Sequence, residues 1–371
     1  MILDLDSNAT TPLLPEAWEA MRPLMLENSG NASSAHALGR KARQQLESAR
    51  EEVAELLGAR ADEVYFTAGA TEANNLALFG LAGAIPGAIL AAPIEHPCVI
   101  EPLKALEKKG FTLDWLPVNP RGVAEQREVL PRVTAETRLV ALMLANHETG
   151  AIQPVRHVAK TLPKGIPVHT DAAQAVGKIP VDFRDLGVAS LSASAHKFHG
   201  PKGVGLLLLK KGLPFQPTLF GGHQQRGIRP GTEAVPLAVG LAVALRHAIR
   251  GMEANRAKWV ELRAAFLANL GVEFVVNGSP DGLPTTLNLS FPGCRAEVLL
   301  MALDLAGIAC STGSACSSGS LLPSPVLEAM GVPPAVLESA MRFSFHAGRT
   351  KEEMEYGGQL VSKSVRSTLR P

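Results

Sequence analysis

The sequence has few cysteines, almost no net charge and no long apolar run, and each shortage excludes a class of protein. Four cysteines in 371 residues, without a CxxC pair, are too few for a disulfide scaffold, and no second ligand couple completes a zinc site. Lys and Arg total 36 against 35 Asp and Glu, so overall charge gives no argument for nucleic-acid binding. No stretch reaches membrane-spanning length and the first residues do not form a signal peptide. We therefore expect a cytoplasmic protein without a metal, a membrane or a nucleic-acid partner.

The chain is long enough for two domains, each with its own core. Strand and helix patterns alternate over 64–209, which favours an α/β fold with a mostly parallel sheet covered on both faces. One long amphipathic helical stretch is predicted over about 235–270. We expect a large domain over 14–255 and a smaller α+β domain formed by 1–13 and 256–371.

A single lysine among small and hydroxylated residues stands out between Ser192 and Gly203. The pattern predicts a strand, a tight turn carrying Lys197, and a second strand over the apolar run 206–209. Most lysines are solvated surface charges. Here the small neighbours leave room for a flat ligand against the backbone, and a desolvated lysine amine can form an imine.

A second short segment has the form of an anion site. The strand predicted over 64–67 leads through small residues directly into a helix that begins near Ala70 and Thr71. Backbone N–H groups at a helix start favour an anion. Thr71 could equally be a plain helix cap, and Lys197 further along the chain tips the interpretation towards phosphate binding.

Polar residues follow three of the predicted strands. His96 follows the strand over 87–92, Asn146 follows the apolar run over 139–144, and Asp171 ends a third strand. Ligands collect at the carboxyl ends of parallel strands, although a lone histidine is more often a satisfied polar residue and a strand-end carboxylate can be a helix cap. The spacing between Asp171 and Lys197 leaves room for one intervening strand, which would bring both to the same sheet edge.

The thiol of Cys316 lies in a stretch of small polar residues over 311–320 that cannot pack a core. Such a stretch predicts a mobile or ligand-binding loop, and an exposed thiol there can attack an electrophile and carry the product elsewhere. Cys310, which follows Gly307-Ile308-Ala309, instead fits a buried small hydrophobe.

Arg342 is placed by the pattern inside a strand. A buried guanidinium needs a fixed anion, and its planar fork suits a carboxylate. The residue pattern leaves two interpretations open, which are a substrate carboxylate and a structural salt bridge.

Together these segments resemble the cysteine desulfurases of the class-V aminotransferase family. The stretch around Lys197 is similar to the cofactor lysine segment of fold-type I pyridoxal phosphate enzymes, and 312–319 is similar to the desulfurase motif Ser-Gly-Ser-Ala-Cys-x-Ser-Gly. The match runs in order through most of the chain. It departs at Ala32, where the family usually has proline, and at His147, where it more often has asparagine, so no role is implied for His147.

The resemblance implies a pyridoxal 5'-phosphate-dependent homodimer that converts L-cysteine to L-alanine and leaves the sulfur on Cys316 as a persulfide. Lys197 would hold the cofactor, and Lys197 and His96 would move protons. Arg342 and Asn146 would bind the substrate. Cofactor contacts are implied for Ala70, Thr71, His96, Asn146, Asp171, Gln174, Ser194, His196, Lys197 and Thr232.

Several of these implied contacts are specific. Asp171 would keep the pyridine nitrogen protonated, and Gln174 and Asn146 would lie near the phenolic oxygen. Thr232, in the polar segment 221–233, would reach the cofactor phosphate of the partner subunit. The sulfur would pass to an acceptor protein for iron–sulfur clusters or RNA thiolation.

Two alternatives stay open at this point: a selenocysteine lyase or other β-lyase on the same cofactor, and a catalytically silent scaffold partner.

Overall fold

The computed structural model describes residues 2–27, 30–312 and 323–369. The strands are β1 (Leu3–Asp4), β2 (Val64–Thr67), β3 (Ala88–Ala91), β4 (Thr112–Trp115), β5 (Thr137–Ala141), β6 (Val168–Asp171), β7 (Ser190–Ser194), β8 (Gly205–Leu209), β9 (Val275–Asn277), β10 (Thr286–Ser290), β11 (Ile308–Ala309) and β12 (Ala340–Ser344). The helices are α1 (Pro15–Leu26), α2 (Ala37–Leu56), α3 (Ala70–Ala82), α4 (Pro97–Glu107), α5 (Val129–Arg132), α6 (Val155–Thr161), α7 (Phe183–Leu186), α8 (Val235–Arg250), α9 (Met252–Ala268), α10 (Ala296–Leu305), α11 (Pro325–Ala329), α12 (Pro334–Leu337) and α13 (Lys351–Thr368).

A seven-stranded sheet in the order β2-β8-β7-β6-β5-β3-β4 forms the centre of the larger part. From β4 to β7 neighbouring strands run parallel, while β8 runs antiparallel to both β7 and β2. Along β8, Leu206 and Leu208 pack into one apolar core and Leu207 and Leu209 into another. Because successive strand residues point to opposite faces, the sheet has a core on each face. The predicted α/β class with a mostly parallel sheet is confirmed.

A smaller part is built on the antiparallel sheet β12-β10-β9. Its core includes Phe266, Leu287 and Phe343. The N-terminal residues Leu3 and Leu5 pack into this same core, and β1 pairs in parallel with β11. The start of the chain therefore lies with residues from its last third, and the domain boundaries at 13/14 and 255/256 stay a prediction.

The prediction of one long helix over 235–270 is wrong, because the structure has two helices there. α8 and α9 are bent by 69° across Gly251, whose N–H still bonds to the carbonyl of His247. α8 packs on α1 and α2, whereas α9 packs on α13. The two helices cover different cores. A continuous amphipathic pattern in the sequence does not show that its first half packs on one core and its second half on another.

In the described part of the chain no single helix is long and apolar enough to cross a membrane. The bent pair α8 and α9 meets that test by length and composition only.

Candidate active site

A cavity of about 680 Å³ opens at the edge of the large sheet where β6 and β7 end and α3 begins. Six separate stretches of sequence meet there. The predicted site residues that line it are Ala70, Thr71, His96, Asp171, Gln174, Ser194, His196 and Lys197.

Lys197 lies on a single turn, Ala195–Lys197, between β7 and β8, as the sequence predicts. Its Nζ donates hydrogen bonds to the backbone carbonyl oxygens of Asn8 at 2.6 Å and Ala9 at 2.9 Å. The amine is thus held at the cavity by neutral acceptors of the N-terminal segment.

The start of α3 forms one end of the cavity. Its N-cap is Gly69, with no side-chain capping bond, so Thr71 does not cap the helix. A Cβ on Gly205 would lie 2.6 Å from the Cα of Gly69, which means that β8 approaches the turn as closely as glycine permits. Unpaired N–H groups at the start of a helix, together with the hydroxyls of Thr71 and Ser194, form a donor set suited to a phosphate.

His196 completes this end of the cavity. Its Nδ1 shares a hydrogen bond with Thr10 Oγ1 at 3.2 Å. Burial, together with the positive charges of Lys197 and Lys202, lowers the pKa of His196 to about 4. The ring is therefore neutral at pH 7, with one N–H available as a donor.

Asp171 is held rigidly at the end of β6. Its Oδ2 accepts from Asn74 Nδ2 at 2.8 Å and its Oδ1 from the backbone N–H of Ala173 at 2.9 Å. Asn74 is fully buried, and its Oδ1 accepts from Ser192 Oγ and lies 2.8 Å from His169 Nε2. Sequence reasoning gave Asn74 no role, although an amide on the apolar face of α3 was a signal for one.

His96 caps α4 through Nδ1, which accepts from the backbone N–H of Cys98 at 3.1 Å. Cys98 Sγ lies 2.9 Å from the same nitrogen and 3.0 Å from Asn74 Nδ2. Both Cys98 and His147 line the cavity, and neither was predicted. The rings of His96 and His147 meet edge to face with centroids 5.0 Å apart, and burial lowers the pKa of each.

Asn146 lies beside this cavity without lining it. Its Nδ2 donates to the carbonyl of Ile94, and its Oδ1 accepts from the N–H groups of Glu148 and Thr149. The amide fixes the turn after β5, and it is the neighbouring His147 that faces the cavity. The structure thus does not bring Asn146 into the lining, because its polar atoms are committed to the backbone.

Arg342 is buried in β12, as predicted. Its Nη2 pairs with Asp6 Oδ1 at 2.7 Å and its Nη1 donates to the carbonyl of His147 at 3.2 Å. Its Nε is buried and has no partner among the described residues. The guanidinium is therefore already in a salt bridge and keeps one N–H unused.

Arg342 and Thr232, two other predicted site residues, do not line the cavity. Thr232 is exposed. Cys316 lies outside the described residues. Within the segment 221–233, Gln225 is buried and bonds in both directions to the backbone of Phe66, so that segment is anchored on β2.

Two carboxyl groups close to the site are buried. Glu95 accepts from the backbone N–H of Met143, while its Oε2 has no partner in the described structure. Burial raises the pKa of Glu95 to about 8 and that of Glu148 to about 7. Glu148 accepts from Ser324 Oγ.

Comparison with known proteins gives a consistent result. The model of the aminotransferase class-V family matches residues 4–356. A cysteine desulfurase IscS from Dictyoglomus turgidum is 42% identical over 369 residues, covering 97% of this chain and 94% of that protein. A solved structure of a NifS-like protein has a TM-score of 0.92 and 38% identity, covering 98% of this chain and 99% of its own. The structure of SspA in complex with cysteine has a TM-score of 0.84 and 32% identity, covering 92% and 98%.

The lysine turn, the fixed carboxylate and the helix start on one α/β sheet define a pyridoxal phosphate-dependent enzyme of fold-type I. The residues fit that cofactor, since phosphate donors surround Thr71, an acid stands at Asp171 and an amine at Lys197. The chain belongs to the class-V aminotransferase family, among the cysteine desulfurases.

Proposed function

We propose that the protein is a cysteine desulfurase, which converts L-cysteine to L-alanine and leaves the sulfur on Cys316. The observation that carries the proposal is the convergence of Lys197, Asp171 and an anion site on one cavity, in a chain whose named relatives are cysteine desulfurases. A structural neighbour described with bound cysteine supports that substrate.

Pyridoxal phosphate, when bound, supplies an electron sink for the substrate α-carbon. We assign Asp171 the task of holding a proton on the pyridine nitrogen, because Asn74 and the N–H of Ala173 fix its carboxylate. Lys197 Nζ would move the proton at the α-carbon after leaving the carbonyls of Asn8 and Ala9. His96 would exchange a second proton through Nε2, since its Nδ1 is occupied by the helix cap.

The sulfur step balances without an external oxidant. The thiolate of Cys316 attacks the substrate sulfur, so that an S–S bond forms while the Cβ–S bond breaks. The electron pair of the broken bond goes to the substrate carbon skeleton, which takes up a proton at Cβ and leaves as alanine. One thiol and one cysteine thus give one persulfide and one alanine.

Substrate binding is assigned to Arg342, whose unused Nε–H can donate to a substrate carboxylate while Nη2 stays paired with Asp6. For Asn146 the hydrogen bonds above favour an indirect contribution, in which it positions the turn that carries His147. Both assignments are proposals that substitution will separate.

We further propose a homodimer with shared sites, in which Thr232 contacts the partner's cofactor phosphate. Its exposure within the segment 221–233, which Gln225 anchors on β2, supports this arrangement. An acceptor protein for iron–sulfur cluster assembly or RNA thiolation is proposed to receive the sulfur. A cytoplasmic location fits a reaction that stores sulfur on a thiol, which needs a reducing compartment.

The test is to incubate the purified enzyme with L-cysteine, measure alanine and sulfide, and map the extra sulfur by alkylation and peptide mass. L-selenocysteine run beside it decides between a desulfurase and a selenocysteine lyase. We expect the extra sulfur on Cys316, with Cys316→Ser keeping the cofactor absorbance but making little alanine. Cys310→Ser is the matched control and should stay active. Extra sulfur on Cys310, or no alanine from wild type, would overturn the proposal.

A further inference from the structure

A second cavity, of about 310 Å³, shares Lys197 with the cofactor cavity. One wall comes from the large part of the molecule and includes Lys178, His199 and His247. The opposite wall comes from α9 and from the segment after β12, and includes Trp259 and His346. The cavity therefore lies between the two cores, and the residue roles assigned above do not account for it.

The charged lining of this second cavity is basic. It contains two lysines and three histidines, and none of its lining residues is Asp or Glu. Lys178 is buried, and its Nζ donates to Gln174 Oε1 at 2.6 Å and to Asn8 Oδ1 at 3.3 Å, which are both neutral acceptors. Burial and the positive charges of Lys197 and Arg342 lower the pKa of Lys178 to about 7. No carboxylate in the lining offsets this ammonium group.

Three buried polar atoms on residues of this lining have no hydrogen-bond partner in the part of the chain that the structure describes. Trp259 Nε1 and Ser7 Oγ are buried and have no partner in the described structure, and an indole N–H can only donate. His346 Nδ1 accepts from the backbone N–H of Gly348 at 3.0 Å, so the neutral ring carries its proton on Nε2, which is also buried without a partner. An unpaired buried donor is costly, and three such atoms on residues that line one cavity favour a ligand rich in acceptors.

We propose that this second cavity binds a small anion of the carboxylate or inorganic oxyanion class. Ammonium, indole N–H and imidazole N–H groups complement such a ligand, because each of them donates a hydrogen bond. Phe198 and Phe345 give the cavity an apolar wall, which leaves room for a short aliphatic group attached to a carboxylate.

A bound anion would also contact residues that connect the second cavity to the cofactor cavity. Lys178 bonds to Gln174, which lines the cofactor cavity, and Lys197 lines both cavities. The proposal concerns a different site from the one assigned to cysteine, and it holds or fails independently of the turnover reaction.

Trp259 provides a reporter. The chain has three tryptophans, and Trp18 and Trp115 are exposed whereas Trp259 is buried. In the holoenzyme carrying Trp18→Phe and Trp115→Phe, Trp259 fluorescence is titrated with sodium acetate, inorganic phosphate and L-alanine at constant ionic strength. The visible cofactor band is followed in parallel, so that binding at the cofactor cavity is recognised separately.

We expect a saturable fluorescence change with at least one of the three probes, and the identity of that probe distinguishes a carboxylate ligand from an inorganic one. His346→Ala should weaken binding by about tenfold or more, because a charged ligand loses a buried hydrogen bond. His157→Ala, at an exposed histidine on α6, is the matched control and should change nothing.

A second variant controls for the possibility that His346→Ala weakens binding only because it disturbs the fold. Trp259→Phe keeps the aromatic bulk and removes the N–H, and binding of the same probe, measured by calorimetry, should again weaken by about tenfold. Its control is Trp115→Phe, which should bind as wild type does. The proposal is overturned if no probe saturates, or if both His346→Ala and Trp259→Phe bind with wild-type affinity.

Discussion

Replacement of Glu95 by glutamine tests the buried carboxyl that precedes His96. Glu95 is almost fully buried, one of its oxygens has no partner in the described structure, and burial raises its pKa from 4.5 to about 8. The negative charge of Asp171 contributes to this rise in the pKa, while the N–H of Met143 acts in the opposite direction. Glutamine keeps the shape and the carbonyl that accepts from Met143, and it removes the titration.

The sign and size of the stability change follow from the pKa of Glu95 in the unfolded protein, 4.5, and in the folded protein, about 8. An acid whose pKa is higher in the folded state destabilises the fold where its unfolded form is ionised. The penalty is absent below pH 4.5, grows to about 3 kcal/mol at pH 7, and approaches about 5 kcal/mol by pH 9. Relative to wild type, Glu95→Gln should therefore gain stability as pH rises. Any constant cost of the new amide cancels, because only the change with pH is compared.

The measurement is urea unfolding of the holoenzyme and of Glu95→Gln at several pH values between about 5 and 9. The difference in unfolding free energy between the two should grow by about 3 kcal/mol or more across this range. Glu107→Gln, an exposed position on α4, is the matched control and should show no such growth. A difference that stays constant with pH would refute the reasoning that Glu95 is neutral in the folded protein.

Three further predictions concern the cofactor cavity. Asp171→Asn should bind the cofactor, as seen from its visible absorbance, but lose most alanine formation, because the pyridine nitrogen has no acid; near-normal turnover would remove Asp171 from the mechanism. His147→Asn should keep the cofactor and lower kcat by up to about tenfold, because His96 loses its ring neighbour at 5.0 Å; loss of cofactor binding would assign His147 a different role. Gly205→Ala should weaken cofactor binding in equilibrium dialysis, since its Cβ would press on the Cα of Gly69 at 2.6 Å; unchanged affinity would show that β8 can move away.

The local parts of the fold could be read from the sequence because they depend on neighbours along the chain. The strand over 64–67 and the helix that begins near Ala70 appear as the patterns predict. Lys197 lies on the predicted turn, and Asp171 ends a strand separated from it by β7. Each of these rests on periodicity or on the order of strands in a parallel sheet.

Other features depend on contacts that no local pattern contains. Arg342 pairs with Asp6, 336 positions away, so the sequence left both a salt bridge and a substrate site open. Asn146 and His147 are adjacent, and only the turn geometry decides which one faces the cavity. The break at Gly251 arises because α8 and α9 belong to different cores. The segment with Cys316 lies outside the described residues, and its prediction stays a prediction.

The N-terminal segment has a consequence for how the protein is made. Asn8, whose carbonyl accepts from Lys197, is itself held by Ser344 Oγ at 2.9 Å from its N–H, a separation of 336 positions. At translation rates of about 5–20 residues per second, roughly 20–70 s pass between the synthesis of these two residues. During that interval Asn8 can pair with Lys178 and Lys197, which are made earlier, but its bond to Ser344 has to wait until nearly the whole chain has emerged. We expect the large sheet and the lining of the cofactor cavity, which comes from residues 10–203, to assemble first, and the N-terminal segment to be fixed against β12 last.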